Sequence, residues 1–269
     1  AELITYLSEI RLIKDSYEIA EMQKAVDATN RGFADMVRVF GVATETKRGE
    51  RVIEAAFFGR ARVEGNELGY DTIAASGAHA CILHWIRNDG EVRNGDLILI
   101  DAGVEVESFY TADITRTLPI NGKFSPAQRE IYMLVYEAQK AGFAAVKPGA
   151  KFKDITNASH EVLAKGLEKL GVLPISAAES LDPDMGLHKR WTVHGVSHML
   201  GIDVHDLGTR TSPIKPGMVF TVEPGIYIEE EQMGIRIENN FVITKTGNKD
   251  LMKNIPITVE DIESLMKKR

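Results

Sequence analysis

Helix-forming and strand-forming segments follow one another in the same order twice along this chain, and each round ends in a strand-rich segment that carries carboxylates. The first of these segments is residues 94–120, and the second is residues 218–243. The two rounds share no clear sequence repeat, so their similarity is one of element order. We therefore predict two structurally similar halves that face one another. Helices and short strands in separate runs favour an α+β fold over a parallel α/β fold.

Several segments have the apolar spacing or the end signals of a helix. Apolar residues recur at helical intervals from Ser16 to Phe40. Ser125 is followed by a proline and, three positions on, by Gln128, which is a typical helix start. Gly171 is a residue type that commonly ends a helix. The predicted helices cover residues 16–40, 46–63, 125–146, 152–170 and 259–267.

The first strand-rich segment contains two aspartates that a hairpin could bring together. Leu97 to Ile100 is a buried apolar run that ends at Asp101, and the return strand would carry Asp113. Because an even number of positions separates the aspartates, both can lie on one face, although the turn geometry decides this. Further strands are predicted at residues 73–76, 81–85 and 218–243, with a turn at 229–234 and a loop at 174–191.

Four carboxylates stand in settings that are costly or unusual for an acidic residue. Asp101 ends a buried strand, where a carboxylate needs a partner or a metal, although it could also cap the turn that follows. Asp113 is predicted in the middle of a strand, where aspartate is disfavoured. Glu223 precedes a Pro-Gly turn and could be a plain strand-end residue. Glu238 could be a surface strand residue paired with Arg236.

These four carboxylates and His198 together form an oxygen-rich ligand set with one nitrogen. Such a set can hold two divalent ions side by side, and two ions can activate a shared water and polarise a carbonyl during hydrolysis. The set therefore predicts a dinuclear metallohydrolase. Oxygen-rich sites of this kind suit Mn²⁺ most, with Co²⁺, Zn²⁺ and Fe²⁺ also feasible.

Histidines cluster in the segment 193–206, which contains His194, His198 and His205. A lone histidine is usually structural, but three within this short stretch favour a functional site. His84 follows a predicted apolar strand and could equally be a packed core residue. His160 is expected to be a solvated helix residue.

Composition excludes several other functional classes. The net charge of −7, with Lys and Arg scattered along the chain, disfavours nucleic-acid and anionic-membrane binding. No stretch approaches the ~18 apolar residues of a membrane helix, and the first residues lack a signal-peptide pattern. The single cysteine, Cys81, is expected to be buried, and it fits a reducing compartment such as the cytoplasm. We expect residues 1–269 to form one catalytic domain.

The ordered motifs resemble those of a known family. IDAG (100–103), TADITRT (111–117), HGVSHMLGIDVHD (194–206), EPGIY (223–227) and RIEN (236–239) are similar to the catalytic domain of aminopeptidase P and prolidase. These enzymes are "pita-bread" metallopeptidases, related to methionine aminopeptidase. The resemblance runs from residue 11 to the end and implies two similar halves with antiparallel strands inside and helices outside. The family normally carries an additional N-terminal domain, which we expect this chain to lack.

The resemblance also implies roles for individual residues. Asp101 would bind one ion, His198 and Glu223 the other, and Asp113 and Glu238 both. Glu223 would also accept a proton from the shared water. The other implied roles are stabilisation of the tetrahedral intermediate by His84 and His205, and binding of the residue after the cleaved bond by His194, Tyr227 and Arg236.

The implied activity is removal of an N-terminal residue that precedes proline, so the partner would be a peptide with proline in second position. The nearest alternative is an Xaa-Pro dipeptidase. A catalytically silent binding or scaffold protein on the same fold is disfavoured by the intact ligand set, and so is a hydrolase of small guanidino compounds. Assembly into a homo-oligomer stays open.

Overall fold

Two three-stranded antiparallel sheets form the centre of the structure, a computed structural model that describes residues 2–208 and 213–267. In chain order the strands are β1 (Glu67–Leu68), β2 (Ile73–Ser76), β3 (Leu97–Ala102), β4 (Val104–Glu105), β5 (Ile114–Pro119), β6 (Val219–Val222), β7 (Gly225–Ile228), β8 (Met233–Arg236), β9 (Asn239–Ile243) and β10 (Asn248–Asp250). The first sheet has the order β2-β3-β5 and the second the order β10-β9-β6. Strands β7 and β8 form a separate hairpin, and β1 pairs with β4.

Helices cover the two sheets. They are α1 (Glu2–Leu12), α2 (Ser16–Arg38), α3 (Phe40–Thr44), α4 (Gly49–Glu64), α5 (Pro126–Ala145), α6 (Phe152–Lys169), α7 (Ala177–Ser180) and α8 (Val259–Met266), with short 3₁₀ helices at Gly77–Cys81, Leu187–Arg190 and Glu229–Glu231. Helices α2 and α4 pack together, and α4 contacts β2, whereas α5 packs on α6 and contacts β6. Each half therefore has two long helices outside a three-stranded sheet, and the predicted α+β architecture with two similar halves is confirmed.

Local contacts stabilise the ends of the long helices, and the predicted helix start at Ser125 and helix end at Gly171 are confirmed. Asp15 accepts hydrogen bonds from the backbone N–H groups of Tyr17 and Glu18 at the start of α2. Ser125 and Gln128 form a reciprocal capping box at the start of α5. Gly171 follows α6 with a φ of +71°, a conformation that glycine adopts without strain.

The strand predicted at 81–85 is wrong. Gly77 has a φ of +56°, and the chain leaves β2 there to form the 3₁₀ helix Gly77–Cys81 and then a turn. The helix predicted from residue 46 begins at Gly49, and the predicted loop 174–191 contains α7 and a 3₁₀ helix. Asp113 and Glu238 are predicted within strands but lie just outside them. Asp113 directly precedes β5, and Glu238 lies in the connection between β8 and β9.

The burial of His160 corrects another expectation. His160 is only 8% exposed and faces the core side of α6, with its Nδ1 at 3.2 Å from Nε2 of His188. Burial and the neighbouring His188 lower the pKa of His160 to about 4. His160 is therefore a neutral core residue, because the helix turns this position inward.

The halves are joined by hydrogen bonds that run directly beside the acidic residues. The backbone N–H of Glu238 donates to the carbonyl of Thr115, at 3.1 Å. The fully buried Arg116 donates to the carbonyl of Glu238, at 2.7 Å. Asn240 and the backbone of Asp113 exchange two further hydrogen bonds. These contacts hold Asp113 and Glu238 side by side although they come from different halves.

Among the helices of residues 2–208 and 213–267, none combines the length and apolar character needed to cross a membrane.

Candidate active site

The predicted site residues surround one cavity of about 460 Å³ between the two halves. Those that line it are Asp101, Asp113, Glu223, Glu238, His84, His194, His198, His205 and Arg236. Tyr227 is not part of the wall but contacts two residues that are. The folded chain thus brings His84 together with side chains from all five motifs.

Asp113, His198 and Glu238 form the centre of the site. One ligand atom from each lies within 4.8 Å of the others, and all three residues are buried. His198 Nε2 is 3.2 Å from Asp113 Oδ2 and 3.9 Å from Glu238 Oε1. On the other side of the ring, Nδ1 donates to the carbonyl of Met199 at 3.0 Å. This bond leaves Nε2 as the nitrogen that faces the carboxylates, as in a metal-binding histidine.

Glu223 and Asp101 flank this centre. Glu223 lies in the connection between β6 and β7, and its Oε1 is 3.5 Å from His198 Nε2. Asp101, near the end of β3, forms a buried ion pair with Nη2 of Arg236. Both carboxylates line the same cavity as the central cluster, although Asp101 has a protein cation as its partner.

Tyr70 is a site residue that the sequence analysis missed. Its hydroxyl lies 2.6 Å from an oxygen of Asp101 and 2.6 Å from an oxygen of Asp113. A hydroxyl has one hydrogen and can donate to only one of these carboxylates. The only sequence cue was an aromatic residue just before β2, whose Ile73 pairs with Asp101.

The charges of the site are those of a cation-binding centre. Burial, followed by the charges of Asp113 and Glu223, raises the pKa of Glu238 well above its ordinary value. Burial likewise raises the pKa of Glu223 to about 7. Burial disfavours the charged form of His198, but its hydrogen bond and attraction to Asp113 prevail and raise its pKa to about 9. Each shift adds a proton that offsets crowded negative charge.

One buried oxygen in the cluster also lacks a donor. Glu238 Oε1 is buried and has no hydrogen-bond partner among the described residues, which is costly for a carboxylate. Divalent cations would supply the missing partner and offset the repulsion between the carboxylates. The residues present therefore fit a group of divalent metal ions.

A chain of hydrogen bonds links His194, Tyr227 and Arg236. Arg236 Nη1 donates to the Tyr227 hydroxyl at 2.9 Å, and that hydroxyl lies 2.7 Å from His194 Nε2. Burial and the charge of Arg236 lower the pKa of His194 to about 3, so its ring is neutral. His194 Nδ1 then donates to the carbonyl of Gly195, and Nε2 accepts from Tyr227. Tyr227 thus holds His194 and Arg236, two residues of the cavity wall, in a fixed arrangement.

His84 and His205 line the cavity and come from two different segments of the chain. His84 follows the 3₁₀ helix Gly77–Cys81, and His205 lies in the segment after His198. The ring of His205 packs edge-on against that of His198, with centroids 4.4 Å apart. Both imidazoles are exposed at the cavity, where they can reach a molecule bound beside the central cluster.

The segment that carries His205 is anchored by a buried ion pair. Lys14 Nζ lies 2.9 Å from an oxygen of Asp206, and both side chains are only 1% exposed. Arg11 contacts the other oxygen of Asp206. A Cβ at Gly201 would lie 2.1 Å from Asp206, so the close approach requires glycine. The α1–α2 junction thereby fixes the residue next to His205.

Lys14→Met is expected to destabilise the protein, because it leaves the Asp206 carboxylate buried without its nearest cation. Removing one partner of a buried pair costs about 3–5 kcal/mol, and the remaining contact with Arg11 favours the lower end of that range. Urea unfolding followed by circular dichroism measures the effect. Lys24→Met, which removes an exposed partner of Glu21, is the matched control and should change the free energy of unfolding far less. Equal effects in both variants would contradict the anchoring role.

Comparisons with known proteins agree on one family. A profile of metallopeptidase family M24 matches residues 20–245. Xaa-Pro aminopeptidase 1 of Streptomyces coelicolor is 49% identical over an aligned length of 280. The alignment covers 98% of this chain and 56% of that protein. The chain thus spans little more than half the length of this curated relative.

Solved structures match the fold over nearly the whole chain. Zinc-substituted aminopeptidase P from Escherichia coli, in complex with product, matches with a TM-score of 0.89 at 37% identity. The match covers 98% of this chain and 61% of the aminopeptidase P chain. Proline aminopeptidase P II from Yersinia pestis has a TM-score of 0.90 at 35% identity, with coverage of 98% and 62%.

Proposed function

The chain belongs to metallopeptidase family M24, and from that premise we propose that it is a metal-dependent aminopeptidase that releases the residue preceding proline. Its substrate would be a peptide with proline in second position. The observation that carries the proposal is the buried cluster of Asp113, His198 and Glu238, with Glu223 and Asp101 on its flanks. The Xaa-Pro aminopeptidases and aminopeptidase P structures that it resembles support the proposed specificity.

A metallopeptidase family implies divalent metal ions, and we propose two per chain. Asp101, Asp113, His198, Glu223 and Glu238 would hold them. Mn²⁺ is the proposed native metal, because four carboxylates and one imidazole form an oxygen-rich set. Bound divalent ions lower the pKa of a water molecule and polarise a carbonyl.

Glu223 is the proposed proton acceptor. Bound cations would favour its carboxylate form, which can take a proton from the attacking water. Glu223 lines the cavity at the edge of the cluster, and its side chain is 16% exposed. His194 lies nearby, with Nδ1 at 3.9 Å from Glu223 Oε2. His194, Tyr227 and Arg236 would bind the part of the peptide that follows the cleaved bond.

His84→Ala and His205→Ala are each expected to lower kcat about 10²–10³-fold, the usual cost of removing one donor to a developing oxyanion. Metal content should stay at the wild-type level, because neither imidazole belongs to the central cluster. Steady-state kinetics, elemental analysis and melting temperature measured on the same preparations test the prediction. Normal turnover combined with reduced melting temperature would show that these histidines only pack.

A peptide panel tests the proposed activity. The metal-stripped protein is supplied with Mn²⁺ and offered Xaa-Pro peptides of two, three and five residues, together with matched peptides that carry alanine in second position. Release of the first residue from the longer proline peptides alone supports an aminopeptidase. Cleavage restricted to the dipeptide would favour an Xaa-Pro dipeptidase, and cleavage of neither would contradict the proposal.

Two further proposals concern context. We propose a cytoplasmic location, which the single cysteine of the chain supports. We also propose that residues 1–269 act as one catalytic domain.

A further inference from the structure

Glu50 is a buried carboxylate outside the cavity, and its side chain binds one short segment of the chain. It lies in the first turn of α4 and has no exposed surface. The segment is residues 76–90, here called the His84 segment. After the 3₁₀ helix Gly77–Cys81 it contains no helix or strand up to residue 90, so individual contacts with the rest of the fold must hold it in place.

The carboxylate accepts four hydrogen bonds from this segment. Oε1 accepts from the backbone N–H of Ser76 at 2.9 Å and from His79 Nδ1 at 2.8 Å. Oε2 accepts from Trp85 Nε1 at 2.8 Å and from the backbone N–H of Gly90 at 2.7 Å. Glu50 therefore ties together both ends of the His84 segment and two points between them.

The donors are themselves fitted closely around Glu50. The rings of His79 and Trp85 are stacked, with centroids 3.8 Å apart. A Cβ at Gly90 would lie 2.5 Å from the His79 ring and 2.8 Å from Glu50 Oε2, so the site requires glycine there. One of the four donors, Trp85, is the chain neighbour of His84.

Burial of a carboxylate is costly unless hydrogen bonds compensate for it. Hydrogen bonds to an ionised acceptor are stronger than those between neutral groups, so Glu50 fixes the segment more firmly than an amide could. A glutamine would replace one acceptor oxygen with a donor and leave two of the four N–H groups without an acceptor.

We propose that Glu50 is a positioning residue that sets the place of His84 at the cavity wall. The inference rests on the proposed function, because it takes His84 to act on the substrate. The His84 side chain is exposed and residues 82–90 form no helix or strand, so the position of His84 depends on contacts such as the hydrogen bond from Trp85 to Glu50. A small displacement of a side chain that contacts the substrate is enough to lower the reaction rate strongly.

A double-mutant cycle with His84 tests this role. Glu50→Gln is expected to lower kcat about 10- to 100-fold in the otherwise wild-type protein, with unchanged metal content. In the His84→Ala background the same change should lower kcat less than about twofold, because residues that act as a unit are not additive. A merely structural role would give the same factor in both backgrounds, and that result would overturn the proposal.

Tyr132→Phe is the control for a general loss of stability. It removes another buried hydrogen bond, from the Tyr132 hydroxyl to the carbonyl of Ile257 at 2.8 Å, away from the cavity. Its kcat should equal that of the wild type even if its melting temperature falls. A kcat loss in Tyr132→Phe as large as that in Glu50→Gln would also overturn the positioning role.

Trypsin cleavage after Arg87, followed by mass spectrometry, gives a readout independent of activity. Arg87 is exposed in the His84 segment, and Glu50→Gln should speed its cleavage severalfold at a temperature where both proteins are folded. If the wild-type protein cleaves no Xaa-Pro peptide, the proposed function is wrong, and cleavage at Arg87 alone decides whether Glu50 holds the segment. Unchanged cleavage and unchanged kcat would overturn the inference.

If Glu50→Gln fails to fold, Trp85→Phe is the variant that tests the positioning role instead. It removes one donor to Glu50 and keeps an aromatic ring against His79. The same non-additivity with His84→Ala and the same faster cleavage at Arg87 are expected, in smaller measure. A Trp85→Phe protein with wild-type kcat and wild-type cleavage would contradict the proposal.

Discussion

Glu238→Gln is expected to abolish hydrolysis of Xaa-Pro peptides and to prevent the protein from retaining two divalent ions. Oε1 of Glu238 is buried in the central cluster without a donor, and Oε2 accepts from the Thr115 hydroxyl at 2.7 Å. An amide at this position removes a negative charge and can direct N–H hydrogens at the cations. Because the residue is proposed to contact both ions, its loss should affect both.

Elemental analysis and steady-state kinetics on the metal-loaded protein test the prediction. Asp113→Asn removes the other proposed bridging carboxylate and should have the same effect. Glu231→Gln, a change of the same kind on the exposed turn between β7 and β8, is the control and should leave metal content and kcat unchanged. Two ions per chain with wild-type kcat in both Glu238→Gln and Asp113→Asn would refute the proposed bridges.

Glu223→Gln is expected to lower kcat by more than the ~10²–10⁴-fold that general-base catalysis contributes on its own. The excess arises because Glu223 is proposed to bind metal as well as to accept the proton. KM should change much less than kcat, since the substitution is nearly isosteric and lies at the edge of the cluster.

Kinetics at saturating Mn²⁺ separate the two roles of Glu223. Metal content measured under the same conditions shows how much of the loss comes from weakened metal binding. A loss in kcat below about tenfold at full metal occupancy would rule out Glu223 as the proton acceptor, because it falls short of the general-base range.

Much of the architecture could be predicted from local patterns. Such patterns include the apolar run of β3 and the helix caps at Asp15 and Ser125. They involve only residues close in sequence, so the sequence alone is enough to predict them. The motifs around Asp101, His198 and Glu238 predicted the pita-bread fold through their resemblance to a family. That fold is confirmed by the aminopeptidase P structures, which match at a TM-score of 0.89 to 0.90.

What could not be predicted depends on contacts between distant residues. The segment 81–85 is apolar enough for a strand, but its Trp85 side chain donates a hydrogen bond to Glu50, 35 positions earlier. His160 has helical neighbours of mixed polarity, and only the packing of His188 shows that it is buried. Tyr70 carries no motif, and its place between Asp101 and Asp113 follows from the pairing of β2 with β3.

The hydrogen bonds across the two halves have a consequence for when this protein can become active. Thr115 and Glu238, which meet beside the central cluster, are 123 positions apart in the chain. Contacts of such sequence separation form late, because a long loop must close first. During synthesis on the ribosome, the first half can emerge with Asp101 and Asp113, yet the cluster is incomplete until His198 and Glu238 have followed. Peptide hydrolysis would then begin only after both halves have joined, which keeps unfinished chains from acting on the peptides around them.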